Sequence, residues 1–71
     1  MADEVRAHIT GVVFQVVTKA GDRVGAGDPI LILESMKMEI PVEAPRAGVV
    51  NTILVAEGQT VQEGDVVARL D

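Results

Sequence analysis

The chain has 71 residues with six basic and eleven acidic side chains, a net charge of −5, and no cysteine, tyrosine or tryptophan. That length closes one core only, which excludes a second domain, and the missing cysteines exclude a disulfide framework, a thiolate metal site and a thiol nucleophile. No run of Lys or Arg could follow a phosphate backbone, no apolar run nears the roughly 18 residues of a membrane span, and the acidic start Met1-Ala2-Asp3-Glu4 is unlike an export signal.

The expectation is a soluble, cytoplasmic protein with neither nucleic acid nor membrane as partner. Thirteen valines and five isoleucines against a single phenylalanine favour strands packed through β-branched side chains. In chain order, residues 5–9 and 11–17 read as strands, a turn-rich link runs through Gly21, Val24 and Gly27-Asp28, and residues 30–33 make a further strand. The series then recurs as 42–44, 48–55, a link through Gly58, Val61 and Gly64-Asp65, and 66–70. A shift of 37 lays residues 4–34 on 41–71 without a gap and leaves ten of 31 pairs identical, among them Gly11-Val12-Val13 with Gly48-Val49-Val50. The predicted fold class is all-β, a flattened β-sandwich of two pseudo-two-fold related halves in one domain over 1–71. A few strands cannot bury an apolar face alone, so neither half should be stable by itself.

The repeat leaves over the connector 35–40, Ser35-Met36-Lys37-Met38-Glu39-Ile40. Residues 32–34 and 39–42 would form the arms of a hairpin whose tip falls on Met36 and Lys37. Two-residue hairpin loops demand positive φ, which Gly or Asn normally supplies, so Met and Lys there imply local strain. A lysine at such a tip offers an exposed ε-amine on a flexible stem. An ordinary lysine amine, with a pKa of about 10.4, is neutral in roughly one molecule in a few thousand near pH 7. The domain cannot activate its own nucleophile, and a partner must remove the proton and supply an activated acyl group.

At these residues the sequence resembles the biotinyl domain family, the biotin/lipoyl attachment domains of biotin-dependent carboxylases and decarboxylases. Glu34-Ser35-Met36-Lys37-Met38-Glu39 stands where that family commonly has Glu-Ala-Met-Lys-Met. Gly11-x-Val13 upstream and Ala44-Pro45-x-x-Gly48-x-Val50 downstream extend the likeness over nearly the whole chain. The resemblance implies a barrel-sandwich hybrid fold with biotin as covalent cofactor on Lys37, attached by a biotin protein ligase that reads Glu34, Ser35, Met36, Met38 and Glu39. It further implies a carrier of carboxyl groups between biotin carboxylase and carboxyltransferase subunits, monomeric in isolation, with no catalytic residue and no metal. Ser35 replaces the usual Ala, Ile9-Thr10 stands where a Pro usually precedes Gly11, and the ungapped repeat leaves no room for a protruding thumb. Neither a Pro- and Ala-rich linker nor catalytic domains lie upstream, which fits a free-standing carrier or an excised domain.

Two other functions compete. A lipoyl carrier shares the fold and the hairpin lysine but commonly has Asp before the lysine and Ala after it, against Met36 and Met38 here. An unmodified interaction or regulatory module would need no acceptor. Glu34 and Glu39 lack the burial that tunes an acid and base pair. His8, the one histidine, has no ligand pattern around it, and Gly21, Gly25 and Gly27 precede no Gly-Lys-Ser/Thr of a phosphate loop. Lys19, the other lysine, aligns with Ala56 and reads as an ordinary turn residue.

Overall fold

The computed structural model describes residues 3–71. Eight strands follow one another: β1 Asp3–Arg6, β2 Gly11–Val16, β3 Arg23–Val24, β4 Pro29–Ser35, β5 Met38–Glu43, β6 Gly48–Ile53, β7 Thr60–Val61 and β8 Val66–Leu70. They form two four-stranded sheets, ordered β1-β8-β6-β3 and β5-β4-β2-β7, and every pairing is antiparallel. Among the described residues no helix is long and apolar enough to cross a membrane.

The sheets do not coincide with the sequence repeat. Within each half the second and fourth strands pair, β2 with β4 and β6 with β8. The first and third strands cross to the other half's pair, placing β1 on β8, β3 on β6, β5 on β4 and β7 on β2. The loops interlock with the same reciprocity. The N–H of Gly21 donates to the Val50 carbonyl at 2.8 Å, and the N–H of Gly58 to the Val13 carbonyl at 2.8 Å. These two glycines sit at φ 96° and 90°, a left-handed conformation that Gly adopts without a Cβ penalty.

Between the sheets lies an aliphatic core with no buried polar or charged side chain among the described residues. Ile30, Leu31, Leu33, Val67, Ala68 and Leu70 are fully excluded from water, so the two long central strands β4 and β8 carry its middle. Truncating such side chains in a core costs about 2–5 kcal/mol, which is why these strands make a stiff base for what projects from their ends.

Some boundaries differ from the sequence expectation. Residues 7–9 leave the β1 ladder because Ala7 donates instead to the Asp65 carbonyl at 2.9 Å and accepts from Gly64 at 2.8 Å. The two links each contain a two-residue strand, β3 and β7, that periodicity over so short a stretch does not reveal. β6 ends at Ile53, two residues before its expected end at 55.

Gly11 permits the close approach of β2 to β4. A Cβ at that position would lie 2.8 Å from the Glu34 carbonyl oxygen, a backbone atom that cannot move aside cheaply. Gly11→Ala is expected to destabilise the fold by about 1–3 kcal/mol, read as a lowered urea midpoint at unchanged slope. An unchanged midpoint would show that the strands part without strain.

Arg46 has no counterpart in the first half, where Ile9 aligns with it. Its Nε donates to Asp3 Oδ2 at 2.5 Å and its Nη1 to the backbone carbonyls of Ala47 and Asp71 at 2.8 and 3.1 Å. The Asp3–Leu70 pair it braces is the repeat's equivalent of the Ile40–Leu33 pair below the hairpin. A side chain thus ties the strand ends that a turn joins covalently in the other sheet.

Candidate functional site

β4 and β5 form the hairpin, with Leu33 opposite Ile40, Glu34 opposite Glu39 and Ser35 opposite Met38. Ser35 and Met38, which the repeat assigns to the connector, are therefore the last paired residues of the arms. The loop is reduced to Met36 and Lys37. Both lie in the left-handed region, at φ 53° and 64°, and they are the only non-glycine residues with positive φ among those described. A two-residue hairpin of type I′ needs positive φ at both central positions, a twist that matches that of the strands. For residues bearing a Cβ each such conformation costs about 1–2 kcal/mol.

The tip stands clear of the body. Met36 is 92 % exposed and Met38 60 %, while Lys37 is exposed and takes part in none of the ion pairs among the described residues. The base is rigid by contrast, because Leu31 and Leu33 of β4 have no exposure and β4 is held between β5 and β2. Geometry and chemistry together make a primary amine displayed in a defined direction. A group joined there through an amide needs that free amine and open space around it, and both are present.

Glu34 and Glu39 occupy directly opposite positions on adjacent strands, both exposed. Like charges so placed destabilise a sheet by a few tenths to about 1 kcal/mol. Neither takes part in an ion pair among the described residues. Met36→Asn should relieve part of the backbone strain, raising stability by about 1 kcal/mol and the melting temperature by about 4–8 °C. A calorimetric scan checks this, and an unchanged melting temperature would remove strain from the account.

The other candidates fall elsewhere. Lys19 is just as exposed as a turn residue but is tied down: its N–H donates to Asp22 Oδ2 at 3.0 Å and its ammonium meets Asp22 Oδ1 at 3.2 Å. The backbone and side-chain hydrogen bonds from Lys19 hold the Asp22 carboxyl below the usual carboxylate range. This local stabilisation is therefore present above the unfolded pKa and lost as pH falls through the folded one. His8 lines an open groove of about 510 Å³ with Arg6, Ile40, Pro41, Val42 and Glu43, away from any nucleophile. No group of three or more His, Cys, Asp or Glu side chains among the described residues could hold a metal. Gly21 and Gly27 serve turns at φ 96° and 88°, whereas Gly25 has an ordinary φ and its N–H donates to Asp28 Oδ2 at 2.8 Å.

One residue of this sheet escaped sequence reasoning. Phe14, 48 % exposed, is the extra residue of a bulge where Val13 faces Leu33 and Gln15 faces Ile32. Its only signal was the chain's lone aromatic, set in a valine-rich strand.

Comparison with known proteins agrees with this geometry. The family profile described as biotin-requiring enzyme, the biotin/lipoyl attachment family, matches residues 3–70. The chain is 50 % identical over 68 residues to a biotinylated protein TB7.3 homolog of Mycobacterium leprae, covering 96 % of each chain. It is 46 % identical over 66 residues to a biotin/lipoyl attachment protein of Bacillus subtilis, covering 93 % of this chain and 90 % of the relative. Among solved structures, Kluyveromyces lactis urea carboxylase superposes with a TM-score of 0.95 at 38 % identity, covering all of this chain and 6 % of the carboxylase. The chain belongs to the biotin/lipoyl attachment family and is a biotin carrier domain, related to the biotinyl domains of carboxylases and not itself the catalyst.

Proposed function

We propose that Lys37 is the residue to which biotin is joined, that residues 1–71 form a single attachment domain, and that it works in the cytoplasm with a biotin protein ligase and the subunits of a carboxylase. The observation that carries this is a lysine at the apex of a two-residue turn, in a left-handed conformation, exposed and without an ion-pair partner among the described residues.

The ligase supplies an activated biotinyl group and accepts the proton of the Lys37 ammonium. The neutral Nζ attacks the acyl carbon, the N–C bond of an amide forms, the leaving group departs with the bonding electrons, and the second proton shed by the nitrogen passes to that leaving group. Bound biotin supplies a ureido nitrogen that carries a carboxyl group. The chain's own residues direct rather than react: the turn fixes the exit vector of Lys37, Met36 and Met38 offer soft apolar contact beside it, and Glu34, Ser35 and Glu39 give the ligase polar points to read. After acylation the side chain no longer bears charge, and the tether keeps its load at high effective concentration near successive active sites of a biotin carboxylase and a carboxyltransferase.

Intact-mass measurement of the chain, made in a cell with its own ligases, tests the reading. A biotinyl increment located at Lys37 by peptide fragmentation is the expected result. A lipoyl increment there would make the chain a lipoyl carrier, and an adduct at Lys19 or none at all would overturn the assignment.

A further inference from the structure

The pseudo-two-fold repeat provides an internal comparison, because each position of the hairpin-bearing sheet has an equivalent with the same backbone role in the other sheet. On the outer face of β5-β4-β2-β7 the register places Pro41 beside Ile32 beside Gln15, and Glu39 beside Glu34 beside Val12. Phe14 stands at the adjoining bulge, with Phe14 48 % and Val12 40 % exposed. Ile32 is half-buried yet is not among the side chains packed against the core.

The equivalent positions on the other sheet hold different chemistry. A shift of 37 replaces Phe14 by Asn51, Ile32 by Arg69, Pro41 by Glu4 and Glu43 by Arg6, whereas Val12 and Glu34 keep their character as Val49 and Asp71. Fold requirements are alike on the two sheets, so they do not explain why one outer face holds Phe14, Ile32 and Pro41 where its twin carries Asn51, Arg69 and Glu4. Arg6 of the other sheet reaches the margin of this face, where it lines one groove with Pro41 and Glu43.

From this contrast we infer that the outer face of the hairpin sheet, centred on Val12, Phe14, Ile32 and Pro41, is a docking surface for the enzyme that acylates Lys37. The inference rests on the assignment of Lys37 above. The partner should present an apolar patch with cationic side chains at its margin facing the β5 edge. Charge complementarity argues for this occupant, since the directly opposed Glu34–Glu39 pair has no cation partner among the described residues. Reach argues the same way. Nζ stands at the end of a four-carbon stem, so an enzyme that acts on it must close against the hairpin and the sheet behind it, whereas an enzyme that uses the loaded, longer arm need not. Exposed aromatic and aliphatic side chains next to a modified residue are the usual anchors of such contacts.

The test transplants the residues of the twin face, Phe14→Asn with Ile32→Arg, into the full chain; because Asn51 and Arg69 already occupy these positions on the other sheet, the substitutions suit the backbone. Steady-state biotinylation by a purified biotin protein ligase with ATP and biotin should show KM raised at least about tenfold with kcat within twofold, and full modification at saturating ligase. For the native chain KM should rise with added salt, as screening weakens the carboxylate contacts. Arg69→Glu, on the far face, should leave KM unchanged. If the double variant melts early, Phe14→Ser alone carries the same expectation in KM. An unchanged KM, or a loss confined to kcat, overturns the docking surface. So does a change in the sedimentation of the chain on its own, which would assign the face to a second copy. Biotin persisting in Lys37→Ala would instead defeat the site assignment, an outcome separable from all of these.

Discussion

Lys37→Ala and Lys37→Arg, each coexpressed with a biotin ligase, should give no streptavidin signal above background, while Lys19→Ala should label as fully as the native chain. The arginine variant keeps the charge and length at the tip but offers a guanidinium that stays protonated in proteins and is no acyl acceptor. Lys19 makes the comparison stringent because exposure does not separate the two lysines: the Lys19 side chain is 83 % exposed. What separates them is position, since Lys37 sits at the apex of the strained two-residue turn and Lys19 in a turn closed by Asp22. All three variants should melt within a few degrees of the native chain, because no buried contact is lost at either site. Residual labelling of Lys37→Arg would move the acceptor elsewhere.

A chain ending after Ser35 should be unfolded, although it holds four of the eight strands. In that fragment β1 and β3 lose their only partners, β8 and β6, and the β2–β4 ladder alone survives. A two-stranded ribbon without a covering layer is marginal in water at best. The complementary fragment fares alike, keeping only β6–β8 because β5 and β7 pair with β4 and β2. The expected effect is loss of the whole folding free energy, on the order of 5 kcal/mol for a chain this small, seen as collapsed amide dispersion in a proton–nitrogen correlation spectrum. Mixing the two fragments should recover dispersion in a concentration-dependent way. A dispersed spectrum from either fragment alone would mean that the halves fold without exchanging strands.

The hairpin tip was legible because its evidence is local and chemical. The repeat isolates residues 35–40, the flanking β-rich runs bracket Met36 and Lys37, and a tight turn there requires positive φ, found at 53° and 64°. The glycine turns were legible for the same reason, since Gly21 and Gly58 repeat in sequence and adopt nearly the same φ.

What the sequence by itself determined is the class of fold, its two-fold order and the place of the displayed amine, because composition, spacing and turn chemistry act over a few residues. Only the tertiary structure decided which strands pair. Alternation along a strand specifies the face to be buried and is silent on the neighbour, which is chosen by how all the apolar faces close together. That choice sends β1 and β3, and reciprocally β5 and β7, across to the other half. It also shifts the β2 register at Phe14, leaving that ring in water beside the hairpin strands. Such relations join residues far apart in the chain, and they come into being only when both halves close on one core.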